Sequence, residues 1–74
     1  MNKQQFKQAR KTLNLSCDKF AQELGLKGKH RGRWIRRLES DDDKYLPSEK
    51  LIDRANLLLK AHEIKIKMLE NINN

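Results

Sequence analysis

From position 48 to position 74 the sequence contains neither glycine nor proline, so no residue of that stretch is a strong helix breaker. Two series of residues repeat there every seven positions: Ile52, Leu59 and Ile66, and Ala55, His62 and Leu69. Two such positions in each heptad are typical of a helix that packs along one seam against other helices. We predict one long helix, or two in succession, over residues 48–72.

Three shorter segments upstream have the same helical spacing of apolar residues. Their members are Phe6, Ala9 and Leu13, then Phe20, Ala21 and Leu24, then Ile35 and Leu38. Residues three, four or seven apart lie on one face of an α-helix. The pattern predicts helices over residues 2–14, 16–25 and 32–40. The fold class expected is therefore all-α, a small bundle of four to five helices whose last helix is long.

Capping residues mark the ends of these segments. Asn2 with Gln5 three residues later forms a capping-box pattern, and Ser16 and Ser48 are N-cap candidates for the second and last helices. Gly25 is suited to the left-handed residue that often ends a helix. These capping residues predict that short turns separate the helices.

Length and composition exclude several classes of protein. A chain of 74 residues makes one small domain, and it has no apolar run near the ~18 to 20 residues of a membrane span. Its single cysteine excludes an internal disulfide and most zinc modules, and no signal peptide is recognisable, so a cytosolic setting is the default expectation. No nucleophile–base pair or ligand cluster stands out, and we expect neither an enzyme nor a cofactor or metal site.

The positive charge is concentrated in one part of the chain. Lys+Arg number 17 against 10 Asp+Glu, and residues 1–40 hold 11 of the basic side chains but only three acidic ones. Six basic residues and no acid fall between positions 27 and 37, where Trp34, Ile35 and Leu38 are interleaved with them. A dense basic run attracts polyanions through counterion release, and nucleic acid is the usual one in the cytosol. Because apolar residues share the run, we favour a nucleic-acid contact over a merely solvated face.

Four fragments of the sequence resemble the Cro/repressor-type (XRE) helix-turn-helix family. They are Leu13-Asn14-Leu15-Ser16 (family pattern LGLS), Phe20-Ala21-Gln22-Glu23-Leu24-Gly25 (LAxxLG), Ile35-Arg36-Arg37-Leu38-Glu39 (VxRWE) and Tyr45-Leu46-Pro47 (xxP). The resemblance covers about residues 3–59. It implies a helix-turn-helix fold in which the third helix is the recognition helix.

The sequence departs from the family pattern at three places. Cys17 stands where the family commonly has Gln after the capping serine, and Leu38 stands where the family often has Trp. The turn after Gly25 is about four residues longer than usual. This glycine-bearing turn is similar to a phage and mobile-element subset with the pattern GxxGxxxxRxIRRxE, which includes anti-CRISPR-associated autorepressors.

The resemblance also assigns roles to individual residues. The base-contacting candidates are Arg33, Trp34, Arg36 and Arg37, and the phosphate-contacting candidates are Ser16, Lys27, Lys29, His30 and Arg31. Arginine can bind guanine O6 and N7 with two hydrogen bonds, whereas turn residues more often contact phosphates. For Trp34 two interpretations remain open, core packing and DNA contact. We expect Glu39 to bind the backbone or an arginine at the end of its helix.

These observations lead to one expected function and two alternatives. Residues 1–60 are expected to form the DNA-binding domain, and residues 61–74 a helical extension for dimerisation. The dimerisation candidates are Leu59, His62, Ile66 and Leu69. The protein would then be a homodimeric repressor of its own operon that binds an inverted repeat in double-stranded DNA. We expect it to act in the cytoplasm of a bacterium or a phage-infected host, with no membrane contact and no evident small-molecule effector. The alternatives are an RNA-binding module and an antitoxin-like protein whose last helix holds a partner protein.

Overall fold

The computed structural model describes residues 1–72 and contains four α-helices in that range, with no strand. The helices are α1 (Lys3–Thr12), α2 (Cys17–Glu23), α3 (Arg31–Glu39) and α4 (Glu49–Ile72). The prediction of a small all-α bundle with a long last helix is confirmed. The last segment is one continuous helix as far as residue 72, and residues 73–74 of the predicted extension lie outside the described residues.

The predicted helix ranges agree with the observed ones to within two residues at every end. Asn2 is the N-cap of α1, and α1 ends before Asn14, whose backbone takes a left-handed φ of 56°. The third helix begins at Arg31, one residue earlier than predicted, so Gly32 lies inside the helix. Side-chain hydrogen bonds from the N-cap residues mark the starts of α1 and α2, whereas His30 makes no such bond at the start of α3.

The predicted caps are confirmed by their hydrogen bonds. The Gln5 amide donates to Asn2 Oδ1 at 2.8 Å, and the Asn2 amide donates to Gln5 Oε1 at 2.8 Å, which completes the capping box. Ser16 Oγ accepts from the Lys19 amide at 3.1 Å. Gly25 follows α2 with a φ of 85°, the left-handed conformation that glycine adopts without a steric penalty.

The core lies where α1, α2 and α3 meet the first turns of α4. Its fully buried large side chains are Phe6, Phe20, Leu24, Ile35 and Leu38, and Ala9, Ala21, Leu51 and Ala55 complete it. The Phe6 and Phe20 rings pack at 5.2 Å between centroids, tilted by 51°. Only the first two turns of α4 reach full burial, so most of this helix does not belong to the core.

Gly32 allows α3 to start close against α2. A Cβ atom at this position would lie 3.2 Å from both the backbone N and the Cα of Asp18, which is tighter than an ordinary van der Waals contact. Any larger residue would push the first turn of α3 away from the first turn of α2. Gly32 thus fixes the distance between the two helices.

A salt bridge joins the end of α1 to the end of α3. Arg10 Nε and Nη2 donate to the two carboxylate oxygens of Glu39 at 2.8 and 3.1 Å, and Arg10 Nη1 donates to the Leu15 carbonyl at 3.0 Å. The Glu39 side chain is only 6% exposed. The hydrogen bond with Glu39 raises the pKa of Arg10 above its ordinary value. The expectation that Glu39 binds an arginine is confirmed.

Two more basic side chains hold loops to the bundle. Lys3 Nζ donates to the Ser40 carbonyl at 2.8 Å and also to the Asp42 carbonyl, which ties the loop after α3 to α1. Arg54 Nη1 donates to the Leu24 carbonyl and so caps the carboxyl end of α2 from α4. These cations act within the fold and are separate from the basic run.

The last helix extends beyond the body of the bundle. From Ile64 onwards every described residue of α4 is exposed, and the molecule measures 47 × 24 × 18 Å. None of the helices in residues 1–72 combines the length and the apolar character needed to cross a membrane.

We expect Glu39→Ala to lower the free energy of unfolding by about 1 to 3 kcal/mol, because it leaves the half-buried Arg10 guanidinium without its carboxylate. Urea denaturation followed by circular dichroism measures this. The matched control is Glu63→Ala, which removes an exposed ion pair with Lys67 at 3.7 Å and should change stability by under about 0.5 kcal/mol. Equal effects of the two substitutions would contradict a structural role for the Arg10–Glu39 pair.

Candidate nucleic-acid interface

A surface groove lies between the α2–α3 turn and the exposed side of α3. We call it the basic groove; it is lined by Leu26, Lys27, Gly28, Lys29, His30, Arg31, Arg33, Trp34 and Arg37. Its volume is about 460 Å³. Five of the lining residues are lysines or arginines, so the groove is strongly electropositive.

The structure brings most of the predicted contact residues together in this groove. Among the base-contacting candidates, Arg33, Trp34 and Arg37 line it, whereas Arg36 is exposed on α3 outside it. Among the phosphate-contacting candidates all but one line it, and the exception is Ser16, which is exposed at the start of α2. The predicted contact residues are therefore concentrated in the basic groove, except Arg36 and Ser16, which lie outside it.

The arginines of α3 face solvent because the two apolar residues of that helix are buried on its opposite side. Ile35 and Leu38 are fully buried and three residues apart, so they define the inner face. Arg33, Arg36 and Arg37 fall on the remaining circumference and are exposed. The helix thus presents three guanidinium groups to solvent within five residues.

The turn between α2 and α3 depends on two glycines with left-handed backbone. Gly25 and Gly28 have φ values of 85° and 104°. Nothing lies within 4 Å of a Cβ placed at Gly28, so its backbone conformation rather than space requires glycine there. The path of the turn leaves Lys27, Lys29 and His30 exposed.

Arg31 differs from the other groove cations because it is paired. Its Nε and Nη2 donate to the two oxygens of Asp18 at 2.8 and 3.1 Å. This hydrogen bonding lowers the pKa of Asp18 and raises the pKa of Arg31. The prediction placed Arg31 in the turn, but it is the first residue of α3, and Asp18 binds its guanidinium through Nε and Nη2.

Trp34 lies on the surface, outside the core. Its side chain is 38% exposed, and its ring meets Tyr45 edge-on, with 5.8 Å between centroids and an interplanar angle of 87°. The Arg37 guanidinium lies 5.5 Å from the centre of the same Tyr45 ring. Tyr45 thus supports two groove residues from the loop before α4, an arrangement that favours the contact interpretation of Trp34 over the core one.

Sequence reasoning missed Asp18 and Tyr45 as parts of this site. Asp18 is 13 positions from Arg31, and Tyr45 is 11 positions from Trp34, so neither pair produces a local periodic signal. The close approach at Gly32 brings Asp18 to Arg31. Only the packing of the helices could reveal these partners.

The four residues predicted to dimerise lie along one side of α4. Leu59 and His62 are half-buried, and Leu59 packs against the core. Ile66 and Leu69 are 42% and 52% exposed. This side of the helix therefore becomes steadily more open to solvent towards residue 72.

Within residues 1–72 no group of three or more His, Cys, Asp or Glu side chains is arranged to hold a metal ion. Cys17 is a half-buried free thiol in the first turn of α2. The chemistry that residues 1–72 offer at the groove is that of cations and one exposed indole.

Comparisons with protein-family models, with curated proteins and with solved structures gave no match. The function therefore has to be inferred from the charge, exposure and contacts of the residues described above.

The Asp18–Arg31 pair predicts a pH dependence that Asp18→Asn removes. Because the folded state lowers the pKa of Asp18, the pair stabilises the fold above the ordinary pKa of an aspartate, and this stabilisation disappears as the pH falls through the lowered pKa. The wild type should melt above Asp18→Asn at pH 7, and the two melting temperatures should converge as the pH falls below the lowered pKa of Asp18. A difference that stays constant as the pH falls through this range would contradict the ion pair.

Proposed function

We propose that the protein is a sequence-specific DNA-binding transcriptional regulator, a homodimeric repressor that places α3 in the major groove of an inverted-repeat operator. One observation carries the proposal. The exposed side of α3 and the turn before it form a single groove with five lysines and arginines, and within residues 1–72 Asp18 is the one carboxylate paired with it. The lysines and arginines of the groove other than Arg31 have no carboxylate partner within residues 1–72, and such a surface attracts polyanions through counterion release.

The dimensions of α3 suit the major groove. Nine helical residues extend about 14 Å, and a helix fits a major groove about 12 Å wide. Arg33 and Arg37 are one turn apart, so both would face the base edges together. Each bidentate contact with guanine contributes about 1 to 3 kcal/mol of discrimination.

The turn supplies the phosphate contacts in this proposal. Lys27, Lys29 and His30 are exposed beside the start of α3, and Arg31 keeps Nη1 free while Asp18 holds the rest of its guanidinium. Phosphate contacts of this kind orient a protein on the duplex without reading its sequence. In this proposal the turn contacts phosphates and orients the protein, and the adjacent α3 reads the base sequence.

We infer membership of the Cro/repressor-type family from the residue patterns of the chain. The order of α2, a glycine-bearing turn and an arginine-rich α3 supports this inference, as does the pattern shared with the phage and mobile-element subset that includes anti-CRISPR-associated autorepressors. A regulator of that kind would act in the cytoplasm of a bacterium or a phage-infected host. It would repress by occupying promoter DNA, as a binding protein rather than an enzyme.

A second candidate, RNA binding, is favoured by one observation. Trp34 is exposed beside the basic groove, and RNA-binding proteins stack unpaired bases on such aromatic rings. RNA readers usually offer several stacking aromatics, whereas the other groove-lining residues here are aliphatic, small or basic, apart from the imidazole of His30. DNA therefore remains the first choice.

The first test compares three nucleic acids by fluorescence anisotropy at ~150 mM salt, where non-specific binding is typically only ~10⁻⁴ to 10⁻⁶ M. They are a duplex from the region upstream of the protein's own gene, a scrambled duplex, and a single-stranded RNA of equal length. We expect a preference of ~10³ or more for the native duplex. Equal, weak binding to all three would contradict an operator-binding function, and a preference for the RNA would favour the second candidate.

Two substitutions separate base reading from phosphate contact. Arg33→Ala should weaken binding to the native duplex by about tenfold or more and bring it closer to binding of the scrambled duplex. Lys29→Ala should weaken both duplexes alike and lower the salt slope by about one. Lys60→Ala, which removes an exposed lysine of α4 outside the groove, is the control and should change neither value. If Lys60→Ala weakens binding as much as Lys29→Ala, the basic groove is not the binding surface.

A further inference from the structure

Tyr45 lies behind the basic groove, in the loop that joins α3 to α4. It is half-buried and packs against the core, and it is not among the residues that line the groove. Its ring contacts two residues that do line it, since Trp34 meets the ring edge-on at 5.8 Å and the Arg37 guanidinium lies over it at 5.5 Å. One half-buried ring thus supports both an indole and a cation of the candidate interface.

The loop that carries Tyr45 is tied to the rest of the chain by hydrogen bonds. Lys3 Nζ donates to the carbonyl oxygens of Ser40 and Asp42, and the Tyr45 amide donates to the Asp42 carbonyl at 3.2 Å. The Lys44 amide donates to Asp42 Oδ1 at 3.0 Å. The backbone at Tyr45 is therefore anchored to α1, and its ring has a defined position beside α3.

The contact with Tyr45 gives the Arg37 guanidinium a direction. A guanidinium over an aromatic ring is held by the attraction between its charge and the face of the ring. A side chain held in this way loses less conformational freedom when it forms two hydrogen bonds to guanine. Within the part of the chain that the structure describes, Arg33, one turn earlier on α3, has no such aromatic support.

Trp34 presents an apolar surface beside Arg37. Its side chain is 38% exposed, and it lies three positions before Arg37, so the two side chains are neighbours on α3. In the major groove thymine alone among the four bases carries a methyl group, and apolar side chains contact it there. An exposed indole among cations is therefore suited to a thymine methyl.

The spacing of these two side chains matches the spacing of base pairs. Residues three apart on a helix have Cβ atoms about 5 to 6 Å apart, and successive bases of one strand are about 3.4 Å apart. Trp34 and Arg37 can therefore reach base pairs that are adjacent or separated by one other pair.

We propose that Trp34 and Arg37 together read a thymine and a guanine in adjacent or next-to-adjacent base pairs, and that Tyr45 is the positioning residue for both. The proposal rests on the proposed function and adds to it a two-base element of each operator half-site. It also assigns a role in specificity to a residue outside the groove. Because Tyr45 carries no charge, it affects which bases are preferred and not the electrostatic attraction to phosphates.

Base analogues test which bases the two side chains read. In the duplex from the region upstream of the protein's own gene, each thymine is replaced in turn by uracil, which lacks only the methyl group, and each guanine by 7-deazaguanine, which lacks the N7 acceptor. We expect uracil at one or more positions to weaken wild-type binding about fourfold, which corresponds to the burial of one methyl group. The effect of uracil at one of these positions should disappear in Trp34→Ala, and that of 7-deazaguanine within two base pairs of it should disappear in Arg37→Ala.

Tyr45→Leu tests the positioning role, because leucine keeps the apolar packing but has no aromatic face. We expect it to reduce discrimination against these two analogues about two- to fivefold, the range of an exposed cation–π contact, with the salt dependence unchanged. Tyr45→Phe should restore the wild-type discrimination, because the ring makes both contacts. Leu46→Ala, at an exposed residue of the same loop, is the matched control and should behave like the wild type.

Double variants separate positioning from a general loss of stability. The effect of Tyr45→Leu on binding the native duplex should be the same in an Arg33→Ala background as in the wild type, and smaller in an Arg37→Ala background. A substitution that only loosened the fold would weaken binding equally in both backgrounds, and this result would overturn the positioning role. Tyr45→Met, which also lacks an aromatic face, replaces the leucine variant if circular dichroism shows that variant to be unfolded.

The wild type distinguishes failure of this proposal from failure of the proposed function. If it prefers the native duplex over the scrambled one, but no uracil position depends on Trp34 or Tyr45→Leu discriminates like the wild type, the present proposal fails and the DNA-binding function stands. If the wild type has no preference for the native duplex, the proposed function fails and this proposal fails with it. Tighter binding to the single-stranded RNA would assign Trp34 to stacking on unpaired bases and would overturn its contact with a thymine methyl.

Discussion

The burial of Ile35 and Leu38 determines how α3 presents its charge. Both side chains are fully buried with Phe6 and Phe20, and this contact fixes the rotation of α3 about its own axis. As a result Arg33, Arg36 and Arg37 are exposed to solvent. A rotation of α3 by one residue would bury a guanidinium group, at a cost of several kcal/mol, so the packing of two apolar residues determines which side of α3 exposes its arginines.

The carboxylates near α3 have structural roles that leave most of the groove's cations free. Glu39 binds Arg10 at the far end of the helix, and Asp18 binds Arg31 at its start. Both pairs hold α3 in place from outside the core, one against α1 and the other against α2. The remaining charge of the groove is concentrated on the turn and on the outer side of α3, where a polyanion can reach it.

Features that depend only on residues close to one another in the sequence were predictable from the sequence. The capping box at Asn2, the cap at Ser16 and the left-handed Gly25 are local, because each needs only a hydrogen bond or a backbone angle within a few residues. The inner face of α3 was equally clear from Ile35 and Leu38. The fold class followed from these features, whereas the groove residues were anticipated from the basic run at positions 27–37 and from the family resemblance.

The supporting contacts of the groove were not predictable, because they depend on tertiary packing. Nothing near Trp34 in the sequence indicates Tyr45, and nothing near Arg31 indicates Asp18. The role of Gly32 is similar: the sequence places it at the start of the third helix but does not indicate the close approach to Asp18 that it permits. Such pairings become visible only when the helices are assembled.

We propose that the basic groove is the surface of the protein that contacts DNA. Amide chemical shifts recorded by NMR on the ¹⁵N-labelled protein, with and without a duplex, test it most directly, and the indole N–H of Trp34 gives one further resolved signal. We expect the largest changes at residues 26–37 and at the Trp34 indole, with the exposed end of α4 little affected. Changes confined to residues 62–72, with the groove unaffected, would contradict the claim.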